Sequence, residues 1–289
     1  ATTAARARPP ATCRSDPLVQ FTELAFAFVT SAVGALGGLG GAILLVPLLV
    51  LTGTSPRLAA PLGLVSVASG SLAAAGPQLG ERAVNHRLGI TTELAAGIGA
   101  VGGALGSELA SDVFLKRFLA LVAIAAALLG GRRKGIRNLP DPSLSAADVG
   151  EHVGSLSGVY QLGDGFVPYR ARRLGAGLGL FGVSGLLAGM AGASGGFIKT
   201  PATSEVMHVP VRVAAATTTF TIGITAATAL CVMAVQGRLQ LDHCAAVCVG
   251  SMLGGRVGAL AQSRLSPPQV RRFLSVVLVV VGVVLLVRS

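Results

Sequence analysis

Tryptophan is absent from this 289-residue chain, aromatic residues make up 4% of it, and charged residues only 12%. A soluble domain carries about 25% charged residues, so a water-soluble enzyme does not describe the chain. Acidic side chains are few: 12 Asp and Glu stand against 23 Lys and Arg, for a formal charge of +11. In a soluble protein that excess would point to nucleic acid. Here 20 of the 23 cations are Arg and most lie between apolar runs, the arrangement produced by the positive-inside rule and anionic lipid headgroups. No nucleic-acid partner is expected. The four cysteines, Cys13, Cys231, Cys244 and Cys248, form no CxxC pair. They read as small packing residues rather than as a disulfide framework or metal site, and no cofactor is implied.

What the chain has in quantity is hydrophobic residues, 52%, and 40 glycines, with a mean hydropathy of +0.73. Glycine is more frequent in membrane helices than in soluble ones. The reading is an all-α polytopic protein of the plasma membrane with the lipid bilayer as its solvent. Ten apolar segments run over 18–36, 41–52, 58–79, 88–110, 113–130, 174–191, 195–207, 211–235, 241–262 and 269–287. A crossing needs about 20 apolar residues, so the second and seventh are expected to be broken or re-entrant elements joined to their predecessors. Residues 1–17 are polar and contain proline; a disordered tail is expected there, with no signal peptide visible. The polar stretch 131–173 is the long loop of the chain, and its alternation around Leu162-Gly163-Asp164-Gly165 predicts a hairpin.

The segments before that loop resemble those after it. GGLGGAILLVP (Gly37 to Pro47) aligns with AGASGGFIKTP (Ala191 to Pro201) at an offset of 154, which also carries Pro56 onto Pro210. VNHRL (Val84 to Leu88) meets LDHCA (Leu241 to Ala245) at 157, and KRFL (Lys116 to Leu119) meets RRFL (Arg271 to Leu274) at 155. Two copies of one unit, 18–130 and 174–289, drift in this way. Five segments per copy is an odd number, so the second copy enters from the opposite side, as in the inverted repeats of secondary transporters. With the loop inside, thirteen cations fall in the cytoplasm and eight outside, seven of the thirteen around the loop. Both termini are therefore expected outside.

The two glycine-rich breaks are the candidate site. Gly40 and Gly41 in one copy, and Ser194, Gly195 and Gly196 in the other, each precede a short segment. Glycine permits a sharp turn and close approach of a ligand, and a half-helix starting at the break turns its free N–H groups toward an anion. Close helix packing of the small-xxx-small kind is the other use of such glycines. Lys199 lies four residues beyond Gly195, where the first copy has Leu45; an ammonium inside an apolar segment is a functional candidate by default. Snorkelling or pairing with Glu205 are its ordinary uses. Thr200, Thr217 and the neighbouring threonines, with Ser66, Ser69 and Ser71 in the first copy, supply hydroxyls for a polar pathway. Glu93, Glu205 and His243 are proton-coupling candidates, although His86 and His243, beside Asn85 and Asp242, also read as helix-capping positions.

Gly192-Ala193-Ser194-Gly195 also matches the GxSG of rhomboid intramembrane proteases, with His243 on a later segment as a partner for a Ser194/His243 dyad. Against it, Ser194 aligns with Gly40, so a small residue suffices at that turn. A membrane scaffold that transports nothing is the third reading.

At the two breaks the chain resembles the TauE/SafE family of sulfite exporters. GGLGGAILLVP (Gly37 to Pro47) with Pro56 and the small-residue stretch Leu58 to Ala75 carries the likeness in the first copy. GASGGFIKTP (Gly192 to Pro201) with HVPVRVAAATTTFTI (His208 to Ile222) carries it in the second. The resemblance spans about residues 20 to 288. It implies a multi-pass transporter of small sulfur-containing anions such as sulfite, sulfoacetate or related organosulfonates, working as an exporter. The first break lacks a third consecutive glycine, and Ser194 stands where the second commonly has one.

Overall fold

The computed structural model describes residues 17–37, 40–80, 84–131, 156–162, 165–262 and 267–288. The tail 1–16, Cys13, the hairpin tip Gly163-Asp164, and the loop cations Arg132, Arg133, Lys134 and Arg137 lie outside the described residues. Among the described residues ten α-helices run in order: α1 Pro17–Gly37, α2 Ala42–Leu51, α3 Pro56–Gly80, α4 His86–Leu109, α5 Asp112–Gly131, α6 Leu174–Ala191, α7 Gly196–Pro201, α8 Val211–Val235, α9 Leu241–Gln262 and α10 Pro267–Val287. Between α5 and α6 lies the antiparallel hairpin β1 Gly158–Leu162 with β2 Gly165–Tyr169, in register Leu162 to Gly165. Among the described residues, six helices are long and apolar enough to cross a membrane. The protein is an all-α polytopic membrane protein.

The two short elements sit at the expected places. Helix α2 has ten residues, and α7 has six before a π-helical turn, Ala202–Val206. Gly192, at φ +65, closes α6 in the left-handed conformation and bonds back to Ala188 O at 2.9 Å. In each copy the chain then folds back beside the helix it has just left. Gly41 lies against the backbone of Ser31, and Gly195 against Ser184. Ser31 is six residues short of the α1 end, so α2 begins about 9 Å inside that end at 1.5 Å per residue.

Packing follows a twofold exchange. Helix α1 lies on α9 as α6 lies on α4, α3 packs on α9 as α8 packs on α4, and α2 packs on α3 as α7 packs on α8. The pairs α3 with α8 and α5 with α10 map onto themselves. The cross-copy pairs are close because glycines recur every four residues: Gly250, Gly254 and Gly258 of α9 meet the backbone of Leu24, Phe28 and Ala32, and Gly185 and Gly189 of α6 meet Ala96 and Ala100. In lipid, where apolar burial drives little association, such backbone approach supplies the dispersion that holds helices together.

The ends of the bundle are tied by polar side chains. On the hairpin face Asn85 caps α4 by accepting from Leu88 N at 3.0 Å, while its Nδ2 donates to Tyr169 Oη at 2.8 Å and Leu156 O at 3.1 Å. Burial pushes the Tyr169 phenol up to about 12, so this tie stays neutral at ordinary pH. On the opposite face Arg238 donates to Arg57 O at 3.0 Å and to Ser107 Oγ at 2.8 Å, and Arg57 pairs with Asp112 at 3.2 Å.

Candidate functional site

The two breaks touch. A Cβ placed on Gly40 would fall 2.6 Å from Ser194 Cβ, and Gly40 itself is at φ +80. Gly40 and Ser194 are counterparts at the offset of 154, so each copy meets its own equivalent position there. Beside this junction is a cavity of about 30 Å³, lined by Ser31, Gly34, Gly40 and Gly41 from α1 and the first break, Ser66, Gly70 and Ser71 from α3, and Thr218, Thr219 and Ile222 from α8. Neither Gly195 nor Gly196 is among its lining. A water needs about 10–15 Å³ of such space, so this conformation holds two or so. Two hydroxyls in it are already used: Ser251 Oγ donates to Ser66 Oγ at 2.7 Å, and Ser31 Oγ donates to Ser251 O at 2.9 Å. The Thr218 hydroxyl is different. It is 3% exposed and has no hydrogen-bond partner, and a buried polar group left so costs about 1–3 kcal/mol. With the first turn of α2 opening at Gly41, whose orphan N–H groups carry the positive end of the helix dipole, the pocket is a set of neutral donors without a charge.

Lys199 is fully buried at 0% exposure, and its partner is Glu93 of α4, not Glu205, which is exposed. The Nζ donates to Glu93 Oε2 at 2.8 Å and Oε1 at 3.0 Å, and to Thr225 Oγ1; the Thr225 hydroxyl in turn donates to Glu93. The ring of Phe181 lies 5.4 Å from Nζ. The pair ties the second half-helix to α4 and α8. Thr200, next along the chain, has a buried hydroxyl without a partner.

The other expected residues are dispersed. Thr217 accepts from Asn85 N at 2.9 Å near the hairpin face. It lies eight residues from Thr225 on α8, or about 12 Å by helical rise, so it does not join Lys199. His243 does not cap α9 in the manner expected: its Nδ1 lies 2.7 Å from Glu23 Oε2 on α1. Glu23 is eleven residues before Gly34, about 16 Å along α1, while Ser194 abuts Gly40. No Ser194/His243 dyad is assembled. Ser31 and Ser251 were not marked by any sequence signal beyond being small, and nothing in the linear order links Lys199 to Glu93.

The family model described as Sulfite exporter TauE/SafE matches residues 24–285. The chain is 24% identical over 274 residues, 88% of its length and 92% of the relative's, to a Bacillus subtilis (strain 168) protein named "Probable membrane transporter protein YunE". No solved structure matches.

Proposed function

Because the chain belongs to the sulfite exporter TauE/SafE family, we propose that it is a secondary transporter that exports small sulfur-containing anions, sulfite or a compact organosulfonate, across the plasma membrane. The observation that carries this reading is the contact between the two breaks beside a hydroxyl-lined cavity holding the unpartnered Thr218. An oxyanion needs several donors converging on a dehydrated site. Serine and threonine hydroxyls with a helix N-terminus provide them without a fixed counter-charge that would prevent release. The size of the cavity favours the smallest oxyanions, and a longer sulfonate requires the breaks to part. In proteoliposomes, sulfite flux should exceed sulfoacetate flux. Thr218→Val, which keeps the shape and deletes the donor, should reduce sulfite kcat/KM about tenfold, the equivalent of about 1.4 kcal/mol. Unchanged flux in that variant would move the anion elsewhere.

The hairpin face is assigned to the cytoplasm from the loop cations, of which Arg170, Arg172 and Arg173 flank the hairpin. In a chain whose four native cysteines are replaced by serine, a Cys introduced as Arg170→Cys, exposed at the end of β2, should react with an impermeant maleimide in inside-out vesicles and stay unlabelled in intact cells. Labelling only in intact cells would reverse the orientation. A peptidase reading through Ser194 and His243 has no assembled pair to rest on.

A further inference from the structure

The Lys199 cluster is used by none of the steps above. Its counterparts at the offset of 154 are ordinary: Lys199 replaces Leu45, which is fully buried in the core, and Thr225 replaces Ser71, which lines the cavity. The scaffold thus closes over leucine in one copy without a charge. We propose that the Lys199–Glu93–Thr225 cluster is a proton-binding site that couples anion movement to proton movement, with the proton carried on the Glu93 carboxylate. The proposal rests on the anion-transport reading.

Protonation of Glu93 turns an ion pair into a neutral acid beside an ammonium. Lys199 keeps only the Thr225 hydroxyl and the Phe181 face. An isolated charge in this interior is costly, and an anion arriving nearby restores neutrality. The cavity is close enough to serve. Ile222, in its lining, is three residues before Thr225 on α8, and Ser71, also in its lining, abuts Gly223. A proton and a monovalent anion therefore load together and leave together.

The other charged groups on the elements packed around the cluster lie toward their ends, as do Asp112, Lys116 and Arg117 in the first two turns of α5, which packs on α7. Helix α6 carries none, α3 has Arg57 in its first turn, and α8 has Arg212 in its first turn with Cys231 near its other end. Helix α4 has His86 and Arg87 at its start and Glu108 at its end, and the π-turn has the exposed Glu205. Among the described residues, the charged group that Glu93 meets in the middle of the span is Lys199.

The test uses the full chain in proteoliposomes with a methanesulfonate gradient and an internal pH dye. Methanesulfonate stays ionised across the neutral range and brings no proton of its own. Wild type should carry protons in the same direction as the anion; Glu93→Gln should move the anion with proton movement at background and a rate independent of pH. Wild-type anion flux without protons overturns the coupling and leaves the anion reading standing, whereas no flux of methanesulfonate or sulfite counts against the anion reading. Infrared difference spectra of the purified chain on acidification decide the proton site independently. One component of the carboxylic-acid carbonyl band should appear in wild type and be missing in Glu93→Gln and in Glu93→Gln/Lys199→Met, which removes both charges, while the components from the other carboxyls are common to all three. Identical carbonyl bands in wild type and in either variant overturn the proposal whatever the flux.

Discussion

Lys199→Met is expected to lower stability by about 3–5 kcal/mol, the cost of leaving one member of a buried ion pair without its partner. The ammonium is fully buried, and Glu93 is 4% exposed, so water cannot take over the freed carboxylate. Methionine nearly preserves the volume, which removes a cavity as the cause. The double variant Glu93→Gln/Lys199→Met should recover most of the loss, because a buried ion pair replaced by groups that need no counter-charge is close to neutral in stability. Lys199→Arg should fall between them: the charge remains, but a planar fork does not reproduce a point donor held by two carboxylate oxygens and Thr225. Melting in detergent, followed by size exclusion of the surviving fraction, reads all three. If Lys199→Met melts with wild type, the pair contributes nothing and Lys199 is free to move.

Gly40→Val should abolish transport. Two independent obstacles meet at that residue: φ +80, a region that disfavours a β-branched side chain, and a Cβ that would overlap Ser194. Gly40→Ala meets the same contact with less bulk. Adding Ser194→Gly to Gly40→Ala clears the overlap but leaves about 1 kcal/mol of left-handed strain. Flux should therefore return in part in the double variant and not in Gly40→Ala alone. Full activity of Gly40→Ala would mean that the breaks do not need to touch.

The ten segments were legible because apolar length is the requirement for crossing a bilayer, and each break was legible because glycine clusters before a proline-bearing short run are rare in continuous helices. The hairpin could be read from alternation around Leu162 and Gly165. The partners could not. Lys199 and Glu93 are 106 residues apart, and a hydropathy pattern places each at a depth without saying which way it faces. Glu205, nearer in sequence, projects from the π-turn, where one extra residue per turn rotates side chains away from the face that a regular helix would present. Thr217, Thr218 and Thr219 are indistinguishable as letters. On α8 they point about 100° apart, so one bonds Asn85 and the next two line the cavity.

The contact of Gly40 with Ser194 has a consequence for how such a chain can come into being. A residue that touches its own counterpart stands on the symmetry axis, and there a true homodimer of single five-segment chains would present the same side chain twice. Serine opposite serine does not fit at this spacing, since even a lone Cβ on Gly40 meets Ser194 Oγ at 2.5 Å. Only glycine opposite glycine, or an unlike pair, can close the junction. A serine at the axis is therefore closed to a homodimer and open to two unlike copies, such as the halves of a tandem, which mutate separately, and Gly40→Ser would recreate the forbidden dimer within one chain.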